Sequence, residues 1–287
     1  MSRPSFFIVG APKCGTTSLH AYIGQHPQLF LCEPKEPHYF GEVRLDVMPR
    51  LSEQEYLDLF DAAGEGAVCG EASTGYLYSK QAAAEIHDFG ATSKIVVLLR
   101  NPVSRAYSHY WHNILALRED LDFDAALGEE QRRVSAGETY HCHYVRCGLY
   151  GEQLARYIGL FGEENVHVIL FEDLVSDPGS VCRGLFEFLG VEHEFPVDVS
   201  RVHNPGGAQR SRRAAELLRH RSILKAPIKM LLPLGLRQRI KSWLQQRNRR
   251  QTPPMASDTR IRLLGEFAAD RERCAQILHR DLSSWMR

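Results

Sequence analysis

The chain has 287 residues, and its 35 Lys plus Arg against 35 Asp plus Glu leave no net charge, which excludes the bulk basicity of a nucleic-acid binder. With 44% hydrophobic and 24% charged residues, it has the composition of a globular protein large enough to bury a core without disulfide staples. Its seven cysteines are scattered and show no zinc spacing, so reduced thiols in a cytoplasmic protein are expected.

The chain opens on a short apolar run, Phe6–Val9. This run is too short to span a bilayer and too close to Met1 to follow a charged leader, so no signal peptide or anchor is read there. Ala67–Cys69, Lys94–Leu99 and Val166–Phe171 are similar runs without polar alternation, the pattern of parallel strands covered on both faces. Between and around them, helices are predicted at Thr17–Gln25, Glu53–Ala63, Lys80–Phe89, Val103–Ala116, Phe123–Ala136 and Gly151–Phe161. Alternation of the two predicts a three-layer α/β fold with a central parallel sheet.

One domain is expected over residues 1–287, with an α/β core at 1–195 and a helical, basic C-terminal region at 196–287. No strand is predicted after Phe195. Between Gln209 and Arg250, Glu216 is the only acidic residue among many Arg and Lys. Such a run reads either as a solvated helix face or as a cap closing over an anionic ligand. Its apolar stretch Ile228–Leu234 suits packing on the core better than contact with a membrane. Ser257–Arg280 is predicted as a long amphipathic helix.

The segment Gly10-Ala11-Pro12-Lys13-Cys14-Gly15-Thr16-Thr17-Ser18 joins the first strand to the first helix. A strand, a Gly-containing turn and a helix start aim backbone N–H groups and the positive end of a helix dipole at one spot, which suits a phosphate. Gly10 and Gly15 have the separation of an NTPase loop, but Thr16 stands where that loop needs Lys, and the lysine comes earlier, at Lys13. An NTPase also needs an acidic metal ligand, and the strand Lys94–Leu99 runs into Arg100 instead. A P-loop-like fold that handles a phosphosulfate without a metal fits these features. A P-loop kinase and a non-catalytic nucleotide-binding scaffold are the alternatives. Arg100, at the carboxyl end of a parallel strand, can grip a second phosphate bidentately, with Ser108 as a hydroxyl donor on the following helix.

Pro12–Leu19 resembles the 5'-phosphosulfate loop of sulfotransferases that use 3'-phosphoadenosine 5'-phosphosulfate (PAPS), and Arg100–Ser108 resembles their 3'-phosphate motif. The similarity extends through Gly148-Leu149-Tyr150, Leu170–Leu174 and Phe188-Leu189-Gly190, and more loosely to His203–Ser211. It implies PAPS as co-substrate, adenosine 3',5'-bisphosphate as product and no metal. Lys13, Cys14, Gly15, Thr16, Thr17 and Ser18 would hold the 5' end, Arg100 and Ser108 the 3'-phosphate, and Gly207 and Arg210 a late closing loop.

Sulfuryl transfer to a hydroxyl needs a base for the acceptor proton and a cation for the leaving group. Lys13 fits the second role. Glu36, in the proline-stiffened stretch Glu33–Phe40, is the candidate base, with His38 the alternative. That stretch resembles the base segment of heparan-sulfate-type carbohydrate sulfotransferases, which implies a sugar or other aliphatic alcohol as acceptor. Glu71, Ser73 and Tyr76 are expected to line the acceptor pocket beside His38. Where those enzymes carry a lysine, this chain has Ala72, which weakens the case for a highly anionic glycan.

Overall fold

The computed structural model describes residues 2–42, 50–201, 208–209 and 249–286. Gly207, Arg210 and most of the basic 209–250 run lie outside the described residues.

Five strands form one wholly parallel sheet in the order β2-β3-β1-β4-β5. They are β1 (Phe6–Gly10), β2 (Leu29–Leu31), β3 (Val68–Ala72), β4 (Lys94–Leu99) and β5 (Val166–Leu170). β1 is buried along its whole length, and β4 everywhere but at Lys94, which is why both read as unbroken apolar runs. β2 was not expected from the sequence; three residues are too few to show a period.

Chain direction sets the layers. From β1 through α1 (Thr16–Ile23) the chain moves outward to β2 on one side of β1. From β3 through α3 (Ala82–Phe89) it crosses to β4 on the other side. Right-handed crossovers in opposite directions place α1 and α3 on opposite faces. Packing agrees with this: α1 meets α9 (Pro178–Leu189), while α3 meets α7 (Tyr150–Phe161). The first short helix after β2, α2 (Glu53–Asp58), is closed by a capping box of Ser52 and Glu55.

Several expected helices are broken or shifted. α4 spans Pro102–Leu115, with proline in its first turn. The stretch expected as Phe123–Ala136 is two helices, α5 (Phe123–Gly128) and α6 (Glu130–Ser135). β5 ends at Leu170, and Phe171 instead opens α8 (Phe171–Ser176). The expected Ser257–Arg280 helix is divided at Phe267 into α10 (Ser257–Glu266) and α11 (Ala268–Leu278). Phe267 is buried, in a cluster with Val103, Ala106 and Tyr144. A two-residue antiparallel ribbon, β6 (Ala208–Gln209) with β7 (Arg249–Arg250), corrects the expectation of no strand after Phe195.

α11 is part of the domain's packing against α7. Asp270 on α11 accepts from the Gly151 N–H at 3.0 and 3.2 Å through its two carboxyl oxygens. The first turn of α7 has no side-chain cap of its own, so this distant carboxylate supplies one.

Candidate active site

The turn after β1 presents an uncapped helix start. Gly15, in the N-cap position of α1, has φ 91° and makes no side-chain cap bond among the described residues, and no acidic residue lies in the first turn. A helix start of this kind, with its dipole, suits an anion. Only glycine fits at position 15. A Cβ would need that positive φ and would fall 2.9 Å from Leu174 Cδ2 and 3.0 Å from Phe171 Cδ2.

Lys13 and Thr17 are half-buried in this turn, and Thr16 and Ser18 are buried. The Cys14 side chain points into the core, 3.9 Å from the Tyr150 hydroxyl. Burial pushes its thiol up to about 11, against the pull of Arg105 and Arg100. Cys14 therefore offers a ligand its backbone N–H rather than its sulfur.

The second anion site expected from the sequence adjoins the first. Arg100 Nη1 donates to the Lys13 carbonyl at 3.3 Å, and the guanidinium lies 4.4 Å from the centroid of the Phe171 ring. Behind it, the Tyr150 hydroxyl donates to the Arg100 carbonyl at 3.0 Å. Ser108 is half-buried, nearly two turns into α4.

Asn101 holds that helix start. Its Oδ1 accepts from Val103 N at 3.0 Å and Ser104 N at 3.2 Å, and its Nδ2 donates to the Trp285 carbonyl at 3.0 Å. Asn101→Ala removes the cap and the tether together. It is expected to cost about 1–2 kcal/mol, read as a lower midpoint of thermal unfolding, and an unchanged midpoint would refute the capping role.

Glu36 sits on a loop pinned to the end of β3. Its N–H donates to the Ala72 carbonyl at 3.1 Å, the His38 N–H to Ser73 Oγ at 3.2 Å, and the Tyr39 and Phe40 N–H groups to the Tyr76 hydroxyl at 2.9 and 3.2 Å. Positive φ at Glu36 (64°) and His38 (49°) gives the loop its tight shape. Glu36 Oε1 accepts from Lys35 Nζ at 2.8 Å and from Thr74 Oγ1 at 3.3 Å, while Oε2 lies 3.3 Å from His38 Nε2. Burial pushes this carboxyl up, but the His38 ring and the Lys35 ammonium outweigh it and hold it down at about 2. The group is ionised at any working pH. A carboxylate has about four acceptor positions, and these contacts leave one on Oε2.

Glu71, Ser73 and Tyr76 are fully buried, and His38 is 4% exposed. Ser73 and Tyr76 hold the Glu36 loop from behind, and none of the first three has surface exposed to an acceptor in this structure.

Other side chains take the rim. His20 on α1, His112 on α4, and Tyr140 and His141 in the turn after α6 all feel the Glu36 charge. Burial is the main cause holding each of the three imidazoles at about 4, reinforced by Lys35 at His20, Lys13 at His112 and Arg118 at His141. They are neutral near pH 7 and can both donate and accept. Of these, only His112 had a signal in the sequence: it lies four residues beyond Ser108, on the same helix face. His112 also feels both Lys13 and Glu36.

An anion cradle and an ionised carboxylate at the carboxyl end of a parallel sheet stand where open α/β folds bind their ligands. The sulfotransferase-domain family model matches residues 3–204, and the chain belongs to the sulfotransferase family. A sulfotransferase structure from Alicyclobacillus acidocaldarius superposes with a TM-score of 0.78 at 33% identity, with 100% of both chains covered. Among curated relatives, carbohydrate sulfotransferase 15 of Mus musculus is 27% identical over 245 residues, covering 66% of this chain and 44% of the relative. Heparan sulfate glucosamine 3-O-sulfotransferase 3A1 of Mus musculus is 29% identical over 189 residues, covering 66% of this chain and 46% of the relative. The chain thus spans less than half the length of these two curated relatives.

Proposed function

We propose that this chain transfers a sulfuryl group from PAPS to a hydroxyl of a carbohydrate or other aliphatic alcohol, with no metal in the reaction. The observation that carries this reading is the contact of Arg100 with the Lys13 carbonyl, which joins two cationic anion sites at adjacent strand ends. A donor with one phosphate in a 5' chain and another at the 3' position needs such a pair. A positive side chain stands where a metal-assisted transferase carries a carboxylate. Membership of the sulfotransferase family and the names of the relatives support the donor and the acceptor class.

In this reading, the N–H groups opening α1, with Thr16, Thr17 and Ser18, hold the 5'-phosphosulfate, while Arg100 and Ser108 hold the 3'-phosphate. The acceptor hydroxyl lies against Glu36 Oε2. Its oxygen bonds to sulfur as the bond from sulfur to the bridging phosphate oxygen breaks. Glu36 takes the proton, and Lys13 steadies the charge arriving on the departing phosphate. His20, His112 and His141 are assigned to acceptor hydroxyl contacts. We also assign the chain to a reducing compartment such as the cytoplasm; all seven cysteines are unpaired, and six of them are buried.

Calorimetry with adenosine 3',5'-bisphosphate in EDTA tests the donor. Binding is expected, and Arg100→Ala should weaken it by about 30–100-fold while weakening 5'-AMP far less. No binding at high micromolar ligand, or equal losses for both nucleotides, would overturn the assignment. Transfer from labelled PAPS to a panel of sugars, alcohols and phenols tests the acceptor, and label appearing only on phenols would overturn that half.

A further inference from the structure

Glu71 is a carboxyl group inside the sheet that the transfer chemistry leaves unused. It lies in β3, opposite Phe7 of β1, and has no exposed surface. Among the described residues, the titratable groups that interact with it are Tyr76 just after β3, Tyr56 on α2, Cys32 after β2, Tyr157 on α7 and Glu36. Not one of these is a cation. Burial pushes the carboxyl up to about 8, against the pull of Tyr76 and Tyr56. Neither of its oxygens has a hydrogen-bond partner among the described residues, and the Tyr56 hydroxyl is likewise unpaired, so the two phenols act on the carboxyl as close neighbours.

Tyr76 shows what this carboxyl can do. Its hydroxyl accepts from the N–H groups of Tyr39 and Phe40. A phenol oxygen has two acceptor positions and one proton. Both acceptor positions are filled, so the proton has to be donated. Of the neighbouring side chains, the Ser73 hydroxyl loosens the Tyr76 proton as a donor does, the Glu71 carboxyl tightens it, and the Glu71 oxygens are buried with no donor of their own among the described residues.

We propose that Glu71 is a positioning residue for sulfuryl transfer: through the Tyr76 hydroxyl it fixes the backbone of Tyr39 and Phe40, and with it the Glu36 carboxylate three residues earlier. The inference rests on Glu36 being the base. Glu71 acts as the neutral acid. Ionisation would leave a negative charge in the core among groups that are themselves acidic, and opening of the Tyr39–Phe40 segment is the route to its relief. Transfer should therefore weaken as pH rises through about 8.

Two variants and two readouts test this. In the wild type, kcat should fall between pH 7 and pH 9, and exchange at the Tyr39 and Phe40 amides should speed up beyond the intrinsic base-catalysed rate. Glu71→Gln, neutral at every pH, should abolish both trends. Glu71→Leu should lower kcat by about 10-fold at all pH and deprotect the same two amides, with KM for PAPS unmoved. Parallel pH profiles for wild type and Glu71→Gln, or amides in Glu71→Leu as protected as in wild type, would overturn the proposal. Should Glu71→Leu fail to fold, Glu71→Gln decides alone. Amide exchange needs no turnover, so full activity in Glu36→Gln would remove the base and leave the exchange result standing.

Discussion

Glu36→Gln should slow sulfuryl transfer by about 10²–10⁴-fold without loss of affinity for adenosine 3',5'-bisphosphate. The amide keeps the size of the carboxylate and can still accept from Thr74 Oγ1, now 3.3 Å away. It cannot take a proton from an acceptor hydroxyl, and it removes the charge that Lys35 and His38 meet at 2.8 and 3.3 Å. The proposed donor contacts lie on the β1–α1 turn and at Arg100, so binding and chemistry should separate in this variant. Single-turnover transfer from labelled PAPS, with calorimetry alongside, gives both numbers. Turnover equal to wild type would exclude Glu36 as base. The sign of the pH effect follows from a carboxyl held at about 2. The folded state binds this proton more weakly than the unfolded chain. The group's stabilisation is therefore present above the unfolded value, near 4.5, and is lost as pH falls through about 2. Glu36→Gln should flatten that part of the acid unfolding curve.

Lys13→Ala should lower kcat by about 10²–10³-fold, with a smaller rise in KM for PAPS. The loop should survive loss of the side chain, because its main chain is held independently: Arg100 donates to the Lys13 carbonyl, and the Ala11 N–H donates to the Leu98 carbonyl at 2.7 Å. The ammonium meets most of its demand in the transition state, when negative charge moves onto the bridging oxygen. Lys13→Arg should restore only part of the rate, since a planar, delocalised cation cannot present a compact charge in a turn with φ 70°. Steady-state kinetics on both variants checks this, and a loss confined to KM would reassign Lys13 to ground-state binding.

The anion turn was legible in the sequence because its parts are consecutive: one strand, one turn and one helix start carry Lys13 to Ser18, and the next central strand ends directly in Arg100. The central strands were legible for the same reason, each being a local apolar run. Phe171 shows where local reading stops. It looks like the last residue of a strand, but it opens α8 and places its ring beneath Arg100. Glu71, Ser73 and Tyr76 were placed beside the right loop but on its wrong side. Whether they face a ligand or the core depends on how Tyr39, Phe40 and α2 pack over the end of β3, which no run of neighbours reveals. His20 and His141 come from elements far apart in sequence and meet only around Glu36.

Asn101 starts the helix beside the donor site, and its side-chain amide is held by a carbonyl 184 residues further along the chain. Gly151, at the head of α7, is likewise held by Asp270, 119 residues on. During synthesis, the anion turn and both central strands leave the ribosome long before either partner exists. A nascent chain can then assemble its sheet early, yet reach full donor affinity only after α11 and Trp285 have docked. Nucleotide binding by the growing polypeptide would thus report completion of the C-terminal helices, and not formation of the loop proposed to touch the nucleotide.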